Sequence, residues 1–196
     1  MRLVLTGLAS FVLAVTGGSA ELNYQYSEEG AQAVEFDKGE TEFVFVDINN
    51  DGNVDILTVG DHGAGLSSKQ QGIVVFFGNG RGTWSVYMSG TFRYGGIAVG
   101  DVNNDGWWDV AYGIHHPYSN SDFGNDWIEV VLGNGTGRFW RPWDDGLAEA
   151  HEGEEWYGQF GVDLGDIDND GLLDLGSNGF ATDSALVVYK NNGDGT

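Results

Sequence analysis

From Phe43 onward, short apolar runs alternate with clusters of Gly, Asn and Asp, and the runs carry the β-branched and aromatic residues typical of strands. FVFVDI (Phe43 to Ile48), VDILTV (Val54 to Val59), GIVVFF (Gly72 to Phe77) and WSVYM (Trp84 to Met88) form one set. GIAVGDV (from Gly96), WDVAYGI (from Trp108), WIEVVLG (from Trp127) and RFWRPW (from Arg138) form a second. FGVDLGD (from Phe160), LDLGS (from Leu173) and ALVVYK (from Ala185) begin a third. No convincing helical period interrupts them after the first twenty residues.

The polar segments between the first and second run of each set share one pattern. They read DINNDGNVD (Asp47 to Asp55), DVNNDGWWD (Asp101 to Asp109) and DIDNDGLLD (Asp166 to Asp174). Downstream, an Asn-Gly turn separates the third and fourth runs: NGRG at Asn79, NGTG at Asn134 and NGDG at Asn192. Asn-Gly tolerates the positive φ that a tight hairpin needs. Glycines also precede the second and third loops, Gly96 and Gly100 then Gly161 and Gly165, where the first copy has Glu42 and Val46. The first loop residues Asp47, Asp101 and Asp166 lie 54 and 65 positions apart, the size of one propeller blade or a small solenoid unit. The expected fold is all-β: four-stranded antiparallel meanders arranged as β-propeller blades, over approximately 40–93, 94–157 and 158–196. Propellers close with about four to eight blades. Three blades, the last stopping before its fourth strand, therefore imply an incomplete propeller whose remaining blades come from further C-terminal sequence or from a partner.

Oxygen donors at positions 1, 3, 5 and 9, a backbone carbonyl at 7 and glycine at 6 suit a hard cation that takes about six to eight oxygens, namely calcium. The candidate ligands are Asp47, Asn49, Asp51, Asp55 and the carbonyl of Asn53; Asp101, Asn103, Asp105, Asp109 and the carbonyl of Trp107; and Asp166, Asp168, Asp170, Asp174 and the carbonyl of Leu172. Gly52, Gly106 and Gly171 permit the sharp turn around an ion. About three ions are expected, bound tightest in the third loop, which carries one more carboxylate. An EF-hand would place a bidentate Glu at position 12 between helices, whereas Thr58, Tyr112 and Ser177 stand there between strands. Dockerin pairs fail for the same lack of helices, and a nonapeptide β-helix fails because the loops are not in tandem. Metal-free Asp-rich turns are the plainer alternative, but a hairpin does not require three or four clustered carboxylates.

The DxNxDGxxD and DxDxDGxxD loops, the upstream glycine-flanked strand and the following FGNG turn (Phe77 to Gly80) together resemble the FG-GAP or VCBS repeats of integrin α-subunit propellers and many exported bacterial proteins. The resemblance covers roughly Phe43 to Thr196. It implies a calcium-stabilised propeller module that binds a protein or glycan, as in cell adhesion, with calcium in a structural role. The competing reading is a scaffold or accessory domain of a polysaccharide-active lyase or hydrolase.

Composition narrows the setting. Arg2, the apolar run Leu3 to Val15 and the small residues up to Ala20 have the layout of a signal peptide cleaved near residue 20, leaving 21–196 as the propeller segment. The apolar run is shorter than the roughly 20 residues of a membrane span. The expected location is secreted, extracellular or cell-surface, or periplasmic, with no membrane insertion of the mature chain. Zero cysteines leave an exported fold without disulfides and point to calcium as its staple. Thirty acids against eight bases, a formal net charge of −22, argue against nucleic acid as a partner.

Outside the loops the signals for chemistry are weak. His62 and His116 fall seven residues after the last Asp of their loops, with His115 beside the latter, but Ala181 occupies that place in the third copy. Trp127, Trp140, Trp143 and Trp156 could stack on sugars, although packing between blades is the simpler account, and the carboxylates of DDGLAEAHEGEEWYG read as an acidic link. No nucleophile elbow, phosphate loop or zinc pattern is present, so no catalytic residue is assigned.

Overall fold

The computed structural model describes residues 42–60, 70–114, 123–148, 159–179 and 186–196. The segment 1–20, read above as a leader, and His62, His115, His116, Trp156 and the acidic residues of 149–158 lie outside the described residues. The described chain is all-β, with β1 (Phe43–Val46), β2 (Asp55–Val59), β3 (Ile73–Gly78) and β4 (Trp84–Ser89) in one sheet and in that order. A second sheet holds β5 (Ile97–Gly100), β6 (Asp109–Gly113), β7 (Ile128–Leu132) and β8 (Arg141–Pro142). A third holds β9 (Gln159–Gly165), β10 (Asp174–Gly179) and β11 (Leu186–Tyr189). Each is an antiparallel meander whose strands pair in sequence order, the arrangement of incomplete propeller blades.

The pairing registers superimpose the copies. Ile56 pairs with Phe76, Val110 with Val131 and Leu175 with Tyr189, so the last Asp of each acidic loop opens the second strand of its sheet. The sheets then pack face to face. Leu57, Val59, Val75 and Phe77 of the first meet Ile97, Val110, Val131 and Trp140 of the second in one core cluster. Ala98, Ala111, Val130 and Leu132, on the opposite face of the second sheet, meet Val162 and Leu175 of the third. Strands such as β6 and β7 are buried on both faces and carry apolar residues at successive positions instead of alternating ones. Fully burying a side chain such as Leu57 or Val131 stabilises the stack by about 1.5–3 kcal/mol.

Two of the upstream glycines find their reason in this packing. A Cβ on Gly96 would lie 2.4 Å from the Phe160 carbonyl oxygen, so the entry to β5 can approach the third sheet only with glycine there, and one on Gly100 would lie 2.6 Å from a Leu173 methyl, which would have to turn aside. Gly165, the counterpart of Gly100 in the third sheet, would meet nothing within 4 Å.

Two local expectations are corrected. RFWRPW forms only the two-residue strand β8, because Pro142 has no N–H to extend a ladder. A single helical turn, α1 (Asp145–Ala148), follows it, with the Leu147 N–H donating to the Asp144 carbonyl at 2.8 Å.

Candidate metal centres

The three acidic loops join β1 to β2, β5 to β6 and β9 to β10, and all three adopt one backbone shape. The position-6 glycines have φ of 86°, 88° and 89° at Gly52, Gly106 and Gly171. Position 4, to which the sequence reading gave no role, is Asn50, Asn104 and Asn169 with φ of 56°, 58° and 62°. Asparagine is the non-glycine residue that enters this left-handed region most readily. Its signal in the sequence is an Asn repeated at one position of each loop, where the backbone and not a ligand calls for it.

Hydrogen bonding within each loop fixes its carboxylates. The position-1 aspartate accepts from the N–H groups at positions 5 and 6: Asp51 at 2.9 Å and Gly52 at 2.8 Å on Asp47, Asp105 and Gly106 each at 2.9 Å on Asp101, and Asp170 at 3.1 Å and Gly171 at 3.0 Å on Asp166. The position-5 aspartate accepts from the N–H of position 7 at 2.8–2.9 Å, the N–H groups of Asn53, Trp107 and Leu172. This bond, first among its causes, holds Asp51 and Asp170 below the usual carboxylate range. The Oδ1 of Asn49, Asn103 or Asp168 accepts from the N–H two residues on.

The position-9 aspartates serve differently. Asp55, Asp109 and Asp174 are buried, and each brackets two segments of its blade. One oxygen accepts from the loop, at the N–H of Ile48, Val102 or Ile167 (3.1, 3.0 and 3.0 Å). The other accepts from the residue at the end of the third strand, Gly78, Gly133 or Asn191 (2.7, 2.9 and 2.9 Å). Burial raises Asp55 and pushes Asp109 up to about 6; the two N–H bonds oppose the shift, and the neighbouring loop carboxylates add to it.

All the side-chain donors at these positions are oxygens, the set a hard divalent cation takes. In the third loop, oxygens of Asp166, Asp168 and Asp174 lie within 4.8 Å of one another. The first two loops place Asn49 and Asn103 where the third has Asp168, and each amide donates to the following carboxylate, Asp51 at 3.1 Å and Asp105 at 3.0 Å. In the third loop that donor is Lys190, whose Nζ contacts Asp168 Oδ2 and stands 3.1 Å from Asp170 Oδ2. Those two carboxylates, Asp168 first, raise the lysine above its ordinary value.

Away from the loops, Trp140 is buried in the first core cluster and Trp143 packs against the second, so both serve blade packing. A feature the sequence did not reveal is Glu129, which is fully buried and raised by that burial. It accepts from the Tyr112 hydroxyl and from the N–H groups of Gly124 and Asp126, each at 2.9 Å.

Residues 47–112, from the first residue of the first loop to just past the second, match the family model described as an FG-GAP-like repeat. No curated protein matches the chain. The matched stretch contains two complete acidic loops, and the third reproduces their geometry outside it.

Proposed function

We propose that the chain is an exported calcium-binding repeat module: three loops each hold one calcium ion that staples a blade, and the opposite ends of the blades present a surface to a protein or glycan ligand. The observation that carries this reading is the threefold recurrence of one loop geometry, in which position-1 and position-5 carboxylates accept from backbone N–H groups and the position-9 carboxylate is buried. Carboxylates gathered this closely repel one another, and a divalent ion relieves that repulsion. The calcium role is structural, with the ligands Asp47, Asn49, Asp51, Asn53 and Asp55 of the first loop repeated in the other two. The FG-GAP-like match at 47–112 supports a propeller-type repeat, and the leader at 1–20 supports export.

Thermal melting of the mature protein in calcium and in excess chelator tests the metal role. At free calcium 100 times the dissociation constant each site adds roughly 2.7 kcal/mol, so saturation should raise Tm by several degrees. An unchanged Tm would refute the reading.

A further inference from the structure

We propose that Lys190 is an internal counter-ion that sets the calcium affinity of the third loop, levelling it with the other two despite its extra carboxylate. This inference rests on the calcium reading of the loops. Counting aspartates alone ranks the third loop first, with four against three in each of the others.

The register of the sheets locates the lysine. Tyr189 pairs with Leu175 as Phe76 pairs with Ile56 and Val131 with Val110, so Lys190 occupies the place of Phe77 and Leu132. Those two are apolar and buried against the neighbouring sheet, whereas Lys190 carries an ammonium that bridges Asp168 and Asp170.

The bridge replaces a specific neutral device. In the first two loops the position-3 side chain is an amide that donates to the position-5 carboxylate. In the third, position 3 is Asp168, which has no donor, and the lysine supplies both the missing donor and a charge that offsets the added one. Asp168 with Lys190 is thus the electrostatic equivalent of Asn49 or Asn103, and each loop presents the same net charge to a cation.

The test is site-resolved calcium titration of the full chain by amide NMR, using the N–H resonances of Gly52, Gly106 and Gly171, one per loop. In the wild type, the Gly171 midpoint should fall no lower in calcium than those of Gly52 and Gly106. In Lys190→Gln the Gly171 midpoint should drop on the order of tenfold, the scale of two exposed ion pairs no longer competing for the carboxylates, while Gly52 and Gly106 stay unchanged. The double variant Asp168→Asn/Lys190→Gln should return Gly171 to the midpoint of the other two. Lys190→Met, which places an apolar residue there as at Leu132, provides a second variant with the same expected drop. The proposal is overturned if Gly171 titrates first in the wild type, or if neither lysine variant moves it while Gly52 and Gly106 respond normally. A chain in which none of the three glycines responds would instead overturn the calcium reading itself.

Discussion

Replacing Asp109 by Asn separates a carboxylate kept for a cation from one kept only as a hydrogen-bond bracket. Burial holds Asp109 at about 6, against about 3.9 in an unfolded chain, so its ionised form at pH 7 costs the calcium-free fold about 3 kcal/mol. Asparagine removes that cost. It keeps only one acceptor, however, for the N–H groups of Val102 at 3.0 Å and Gly133 at 2.9 Å. One buried N–H is then left facing an amide N–H, at a cost of about 1–3 kcal/mol. In chelator the two effects largely cancel, and D109N should lie within about 2 kcal/mol of wild type. In calcium at 100 times the dissociation constant, the wild type gains roughly 2.7 kcal/mol at this site and the variant does not. The gap between the proteins should therefore widen by about that amount on adding calcium. Urea denaturation of both proteins under both conditions measures it. The pH profile gives a second handle. The folded carboxylate binds its proton more tightly than the unfolded one, so in chelator this group makes wild-type stability fall as pH rises from about 4 to about 6. D109N should lack that component. Equal destabilisation with and without calcium would show that Asp109 is only a bracket.

Other consequences follow from packing and from the far end of the blades. Gly100→Ala should cost about 1–3 kcal/mol, because its Cβ would stand 2.6 Å from Leu173 and 3.0 Å from Leu164; chemical denaturation reads this, and a neutral result would mean that the two leucine methyls turn aside without cost. Its counterpart Gly165→Ala has nothing within 4 Å and should change stability by no more than about 1 kcal/mol, toward stabilisation. Glu129→Gln leaves the Asp126 N–H without its acceptor and should cost about 1–3 kcal/mol at low pH, where the native carboxyl is protonated in the fold. Because burial raises Glu129, the wild type loses stability as pH climbs above the ordinary carboxylate range, so the deficit of the Gln variant should shrink at neutral pH. A deficit that does not vary with pH would refute this.

The repeat was legible because its two strongest markers are local chemistry. Asp, Asn and Gly at fixed spacing define the loops, and Asn-Gly defines the turns, so strand order and the loop connections follow without tertiary information. The bracket made by Asp55, Asp109 and Asp174 was not legible. Its second partner, Gly78, Gly133 or Asn191, lies seventeen to twenty-four residues away and becomes a neighbour only once the sheet has formed. Lys190 was hidden for the same reason: its register with Phe77 and Leu132 is a property of paired strands. The shortness of β8 reflects Pro142, whose missing N–H outweighed the aromatic run around it.

Position 12 of the loops, which lacks the glutamate of a helical calcium hand, shows where the copies part company. Thr58 and Ser177 use their hydroxyls on the preceding strand, donating to the carbonyls of Glu42 at 2.7 Å and Gly161 at 3.1 Å. In the second copy the corresponding residue is Tyr112, which stacks on Phe92 with ring centroids 4.4 Å apart and donates to buried Glu129. Glu129 in turn holds the N–H groups of Gly124 and Asp126, so this one blade spends its position-12 side chain on fixing a turn at the end remote from the acidic loop. The second blade therefore departs at position 12 from the hydroxyl of the other two, and its Tyr112–Glu129 pair ties β6 and β7 to the turn from Phe123 to Trp127.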